Sequence, residues 1–416
     1  MAVRDEILAP QAICARQRRS DWITGIGAGR ASRTVLAAVA VLGMATTSCT
    51  RSNVAHGSGV APASRPSSAA GPVLTRPVAG RAPMASYLDG LASSGRFNGT
   101  VLVARSGHVL LDAGYGLADR ATSTPNGPAT IFQIGSVTKQ FTAMAIAILA
   151  QHGKVRLDSR ACGYLPGCPP SWRPITIAEL LTHTSGIANW STWSITGPLP
   201  GEATDPIAAI VTYAESQSLA FPPGTRAAYS NPGYMVLGEI IEHISGMSYA
   251  AFLHRHIFAP LRMTHTGVYQ GLATGPGYAL GYLADGSVAP TRLTADSASA
   301  GAIYSTAGDL YRWDQALITG TPRLVARPLL HQILTVHAPC PYQSCPLPAD
   351  RGYGYGWFVG GTGRARLLNH SGSVLGFWAY NGFYPARGIV VVILGNLDTI
   401  AIDPISAELN LLASAG

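Results

Sequence analysis

The stretch Phe132–Met144 reads FQIGSVTKQFTAM and holds one of only two lysines in 416 residues, the other 27 basic residues being arginine. Phe141, Met144, Ala145 and Ile148 recur at helical spacing and Gly153 closes the pattern, so a helix is predicted from about Ser136. Residues three apart lie one above the other on a helix, which puts Ser136 and Lys139 on one face. A serine hydroxyl is a poor nucleophile until a neighbouring base takes its proton. Lysine can surrender its charge when desolvated; arginine, with a pKa above about 12, cannot. Phe132, Ile134 and Phe141 are the apolar neighbours that would supply the desolvation. The competing reading is a surface lysine beside a capping serine. The second lysine, Lys154, falls in an apparent turn and needs no such reason.

Two further signals point to the same chemistry. Tyr229-Ser230-Asn231 is the only Tyr-x-Asn in the chain. A tyrosine near the Ser136–Lys139 pair can shuttle a proton to a leaving group, and an asparagine amide can grip a substrate carbonyl. Asn231 also precedes Pro232, a favoured first helical residue, so it reads equally as a helix N-cap. His-x-Gly occurs twice, at His265-Thr266-Gly267 and at His370-Ser371-Gly372. The first lies in an apparent loop. The second opens a strand-rich stretch whose edge can hold an extended substrate by backbone hydrogen bonds, and His370 is the candidate taken.

Outward from these residues, FNGTVLVARSGHVLLDAGYGLAD (97–119) reads as a β-hairpin turning at Ser106-Gly107. ITIAELLTHTSG (175–186) carries a capping box, Thr176 with Glu179, and a helix expected to end at Gly186. Tyr234, Leu237, Ile241 and Ile244 form a helical stripe between Pro222-Pro223-Gly224 and Gly246. STAGDLYRWDQAL (305–317) has a second box, Thr306 to Asp309. RLLNHSGSVLGFWAYNGFYPARGIVVVILGN (366–396) alternates strands and turns ahead of a closing helix. Strands at both ends with helices between them predict an α/β (α+β) fold. One antiparallel sheet is built from both chain ends and flanked by helices, beside a second, mainly helical lobe over roughly 155–300.

Hydrophobic residues make up 47% and charged ones 12%, which fits a packed core rather than a disordered or fibrous chain. The formal charge is +8, but six arginines and three acids fall in the first 49 residues, leaving 23 basic and 18 acidic residues beyond. That scattered excess does not make a nucleic-acid surface. Arg30 and Arg33 precede the apolar run Val35–Ala45, too short for a bilayer and suited to a signal peptide. Thr46-Thr47-Ser48-Cys49 resembles a bacterial lipobox, with Thr46 where leucine is usual. Residues 1–49 are therefore expected to be a leader, with membrane attachment through a lipidated Cys49 as one outcome. Residues 50–85, rich in Ala, Pro, Ser and Gly, are expected to be a flexible linker, and 86–416 the folded domain. Cys162 with Cys168, and Cys340 with Cys345, read as local disulfides formed after export to the periplasm or cell envelope. Zinc is the rival reading, against which the spacings speak.

The order Ser136-x-x-Lys139, Tyr229-x-Asn231, His370-x-Gly372 resembles the serine hydrolases that include class C β-lactamases, D-alanyl-D-alanine carboxypeptidases and lactamase-like esterases. The resemblance spans about 87 to 410 and includes ITIAELLTHTSGI and FPPGTRAAYSNPGYMVLGEIIEHISG. It implies a β-lactamase/DD-peptidase-like fold with Ser136 as the acylated nucleophile and Lys139 as its activating neighbour. Tyr229 becomes the general acid/base, with a phenolate held by Lys139 as one form, and Asn231 orients the substrate. His370 takes the place of the first residue of a Lys-Thr-Gly triad. The oxyanion hole falls to the backbone N–H groups of Ser136 and Ser373, the residue after Gly372, each donor contributing about 3 kcal/mol. No metal or cofactor is implied. A histidine at 370 is mostly neutral at pH 7 and gives a substrate carboxylate no permanent partner, so an ester or D-amino-acid peptide substrate is expected ahead of a β-lactam. The substrate is a small molecule or a peptidoglycan peptide, and no protein partner is expected.

Other readings fare less well. No Gly-x-Ser-x-Gly elbow supports a Ser-His-Asp α/β-hydrolase. His254-Arg255-His256 is the densest histidine pair and reads as a solvated helix end rather than a zinc site. His183 reads as structural at a helix end. Tyr353, Tyr355, Trp357, Phe377, Trp378 and Tyr380 read first as core and second as a cleft wall. A class C-like β-lactamase and a non-catalytic envelope binding protein of the same fold remain as alternatives.

Overall fold

The computed structural model describes residues 81–192, 205–269, 275–290, 298–342, 345–347 and 350–415. Helix α1 (Arg81–Ser93) leads into the hairpin of β1 (Gly99–Arg105) and β2 (His108–Tyr115). A short ribbon, β3 (Leu117–Asp119) and β4 (Thr124–Pro125), precedes β5 (Phe132–Gln133) and helix α2 (Thr138–Gln151). The middle holds α3 (Ile177–Leu181), α4 (Pro206–Glu215), α5 (Asn231–Ser245), α6 (Tyr249–Leu253), β6 (Gly267–Val268), α7 (Ala298–Gly301), β7 (Ile303–Ser305), α8 (Ala307–Thr319) and α9 (Arg327–Ile333). The chain returns through β8 (Asp350–Tyr353), β9 (Phe358–Gly360), β10 (Leu367–Val374), β11 (Phe377–Tyr384) and β12 (Ile389–Gly395) to α10 (Ile402–Ser414).

The main sheet has seven antiparallel strands in the order β2-β1-β12-β11-β10-β9-β8, so the two chain ends meet where β1 pairs β12. Successive side chains on a strand point to opposite faces. Leu102, Ala104, Val390, Val392 and Leu394 join the core that holds α2 and α5. Val101, Val103, Val391 and Ile393 join a second core with Met84 and Leu88 of α1 and Leu409 of α10. Coverage of both faces explains why all seven residues of β12, IVVVILG, are buried.

Helix α2 is buried along its whole first three turns, Thr138 to Leu149, because α5, α7 and α9 pack around it, with Gln140 reaching Asn381 of β11. A helix apolar all round belongs in an interior, and here it carries Lys139 inside with it. Helix α3 has the expected capping box but stops at Leu181, short of Gly186. The Thr182 hydroxyl donates back to the Ala178 carbonyl at 2.7 Å, and His183 takes φ +60°, which turns the chain away. Helix α5 is capped by Ser230, whose Oγ accepts the Gly233 N–H at 3.1 Å, and not by Asn231. Thr306 caps α8 as expected, while the Asp309 carboxylate turns to the Thr266 hydroxyl and the His265 N–H.

The folded part begins earlier than the linker boundary placed it, since Arg81 to Ala85 already form the first turn of α1. The leader, the rest of the linker and Cys49 lie outside the described residues. Cys162–Cys168 and Cys340–Cys345 are both disulfides, with Cα separations of 5.4 and 5.5 Å. No described helix is long and apolar enough to cross a membrane.

Candidate active site

Ser136 sits in a single 3-10 turn, Gly135–Val137, that leads directly into α2. Gly135 has φ +51°, and a Cβ there would meet the Ser373 nitrogen at 2.7 Å. Across from it, a Cβ on Gly372 would fall onto the Ile134 carbonyl oxygen and 2.6 Å from the Ser136 nitrogen. Both positions therefore demand glycine, and the approach they permit brings the backbones of Ser136 and Ser373 together. Strand β10 pairs β11 along 368–374, but β9 covers it only at 367–369. On that side no described strand pairs with His370 to Val374.

Lys139 is fully buried. Its Nζ lies 3.1 Å from Ser136 Oγ, 2.7 Å from Asn231 Oδ1 and 2.7 Å from the Ala300 carbonyl oxygen. No carboxylate is among these partners. Burial pushes its pKa well below the ordinary lysine range. The rings of Tyr229 and Tyr234, 4.8 and 5.4 Å away, favour the cation. Ring faces contribute about 0.5–2 kcal/mol, less than desolvating an unpaired ammonium costs. A neutral amine has two N–H donors and one lone pair. In that form the two carbonyl-type oxygens would take the donors, and the lone pair would face Ser136. Phe132, Ile134 and Phe141 are buried as expected, but the groups packed on the amine itself are Tyr229, Tyr234 and α7.

Asn231 is free to serve because Ser230 does the capping. Its N–H and its Nδ2 both donate to Asn189 Oδ1, at 3.0 and 3.2 Å, which fixes the amide with its oxygen toward Lys139. Asn189 had no sequence signal.

The Tyr229 hydroxyl is buried and makes no well-formed hydrogen bond. Burial, then the neighbouring Tyr342, push the phenol well above its ordinary pKa, with the nearby Ser136 hydroxyl acting the other way. The phenolate expected as one form of Tyr229 is thus disfavoured, and Lys139 lies over its ring rather than on its oxygen. His183 holds this segment from behind. Its Nδ1 accepts the Ser230 N–H at 3.1 Å, its carbonyl accepts the Ala228 N–H at 2.9 Å, and its ring lies 4.3 Å from that of Tyr229. It is structural, as expected, and the structure it serves is the site.

His370 is 1% exposed. The Tyr353 hydroxyl is 2.9 Å from Nε2, and Nδ1 is 2.5 Å from the Ser371 carbonyl. One tautomer satisfies both: Nδ1–H donates to the carbonyl and Nε2 accepts from Tyr353. Burial draws the imidazole down to about 3, so the ring is neutral. Tyr353 belongs to the aromatic group read first as core. It is buried and also completes the site. His265 instead donates its N–H to Asp309 on α8.

A nucleophilic serine, a desolvated lysine and two converging backbone donors define a serine hydrolase of the β-lactamase and penicillin-binding type. A family model for Beta-lactamase matches residues 84–414, and the chain belongs to that family. It is 32% identical over 308 residues to the Bacillus subtilis (strain 168) protein named "Putative penicillin-binding protein PbpX", covering 73% of this chain and 72% of that one. A penicillin-binding protein from Bacillus halodurans superposes with a TM-score of 0.68 at 27% identity, over 78% of this chain and 99% of the other. A crystal structure of SurE with D-Leu gives 0.64 at 26% identity, over 81% and 75%.

Proposed function

We propose that Ser136 is acylated by a carboxylic ester or a D-amino-acid amide or peptide, and that water then releases the acyl group. The carrying observation is the buried Lys139 amine, 3.1 Å from Ser136 Oγ and without a carboxylate partner. Neutral Nζ takes the hydroxyl proton as Oγ bonds to the substrate carbonyl carbon. The Ser136 and Ser373 N–H groups receive the carbonyl oxygen as it becomes negative. The carbon–oxygen or carbon–nitrogen bond to the leaving group breaks, and Lys139 returns the proton to that group while the neutral Tyr229 phenol donates it a hydrogen bond. Asn231 keeps one Nδ2 hydrogen for a substrate carbonyl, and the open edge of β10 takes an extended acyl chain.

Neutral His370, with both nitrogens engaged inside the protein, offers no cation to a substrate carboxylate. This favours esters and amides over β-lactams and over peptides that depend on a terminal carboxylate. The D-Leu in the SurE structure supports an acyl group of D configuration. The two disulfides support export to the cell envelope, where peptidoglycan peptides are available as substrate.

Intact-mass measurement after exposure to an activated p-nitrophenyl ester and, separately, to a fluorescent penicillin tests the reading. Ester turnover that Ser136→Ala abolishes, without a lasting penicillin adduct, is the expected result. A stable penicillin adduct on Ser136 favours a carboxypeptidase. Neither adduct nor turnover would leave a binding protein.

A further inference from the structure

Cys340 to Tyr342, tied to Cys345 by a disulfide, lie against the site and have no part in the reaction described so far. The Pro341 carbonyl accepts the Tyr229 N–H at 2.9 Å, joining loop and catalytic segment backbone to backbone. The next residue, Tyr342, stacks on the Tyr229 ring with centroids 4.8 Å apart and planes inclined by 18°. It also lies nearly parallel to Phe358 at 6.0 Å, and Phe358 in turn touches His370 at 5.0 Å. Tyr342 thus adjoins the side chains that flank Ser136 from two directions, yet 47% of it is exposed.

Those contacts orient the ring beside Tyr229 and leave about half of it exposed. A rigid ring of this kind offers apolar area to a ligand at low entropic cost, because only two torsions need be held. Offset stacking on a second ring is favourable beyond the area buried. His183 holds the Tyr229 segment from the other side through Ala228 and Ser230, and Ala338 pairs with Tyr353 just ahead of the bridge.

We infer that Tyr342 is a specificity-determining residue. Its exposed ring forms a wall of the acyl pocket that selects substrates with an aromatic or bulky apolar group beside the scissile carbonyl, and the Cys340–Cys345 bridge holds that wall in place. The inference rests on acyl transfer through Ser136.

The test compares p-nitrophenyl phenylacetate with p-nitrophenyl acetate on the full chain, with wild type, Tyr342→Phe, Tyr342→Ala, Cys340→Ser/Cys345→Ser and Ser136→Ala, each checked for an intact thermal transition. The preference in kcat/KM for phenylacetate over acetate should fall about tenfold in Tyr342→Ala, mostly through KM, and survive in Tyr342→Phe. The double cysteine variant should lose the same preference. An unchanged preference in Tyr342→Ala would overturn the wall, and an unchanged preference in the cysteine variant would overturn the clamp. Turnover surviving in Ser136→Ala would show instead that the acyl-enzyme reading beneath the inference has failed.

Discussion

At Lys139 the choice of amine over guanidinium decides what the site can do. The sequence made that choice visible, since arginine serves at 27 of 29 basic positions. Replacing Lys139 with Arg keeps a cation and removes the base, so kcat should fall by about two to four orders of magnitude with little change in KM. An unaffected kcat would mean that another group takes the Ser136 proton. In wild type, kcat/KM should decline as pH falls through the depressed Lys139 pKa and hold on the alkaline side, where Tyr229 keeps its proton. A pH–rate profile bell-shaped about neutrality would contradict that assignment. His370 was legible through His-x-Gly, but its neutrality was legible only in part. The buried Tyr353 partner that fixes its tautomer comes from another strand, and no local pattern reports such a pairing.

At the scale of elements, the hairpin, the stripe of α5 and the return strands were readable, because periodicity and turn residues are local properties. The end of α3 was not, since a back-bonding threonine and a left-handed His183 stop it before the glycine that would mark a C-cap. The cap of α5 was misplaced by one residue, and that residue matters. Ser230→Ala removes the acceptor of the Gly233 N–H and should cost about 1 kcal/mol in denaturant unfolding. It should also lower turnover by more than that stability loss explains, because Asn231 is then drawn toward the vacant cap; full activity would sink this link. Between the nucleophile turn and β10, Gly372→Ala forces a methyl group against the Ser136 nitrogen. Its kcat should drop about a hundredfold or more while far-ultraviolet dichroism stays native. Undiminished kcat would show that the two backbone donors do not act together.

At the scale of the whole molecule, both chain ends contribute to one sheet, and α2 is enclosed mainly by other helices. The reading of 366–396 as strands and turns located β12, but not its coverage on both faces. How far α2 would sink was not announced, because burial is set by elements distant in sequence. The same enclosure holds a polar network: Asn381 Nδ2 donates to Asp314 Oδ1 at 2.9 Å and to Gln140 Oε1 at 3.1 Å, tying α8, β11 and α2 together. Burial pushes the Asp314 carboxyl well above its ordinary pKa. The native state therefore keeps a proton that the unfolded chain releases above about pH 4, so stability falls as pH rises from there toward the raised native pKa. Asp314→Asn should flatten the fall in melting temperature as pH rises above about 4. Parallel melting curves for variant and wild type would place the carboxyl's charge elsewhere.

The central claim is that the Lys139 amine rests without its proton. A chain with two lysines gives two Cε resonances after carbon-13 lysine labelling, and Lys154→Ala identifies which belongs to Lys139. On titration, the Lys139 signal should move at a pH well below the ordinary lysine value of about 10.4. A Lys139 signal that titrates at or above that value would contradict the account.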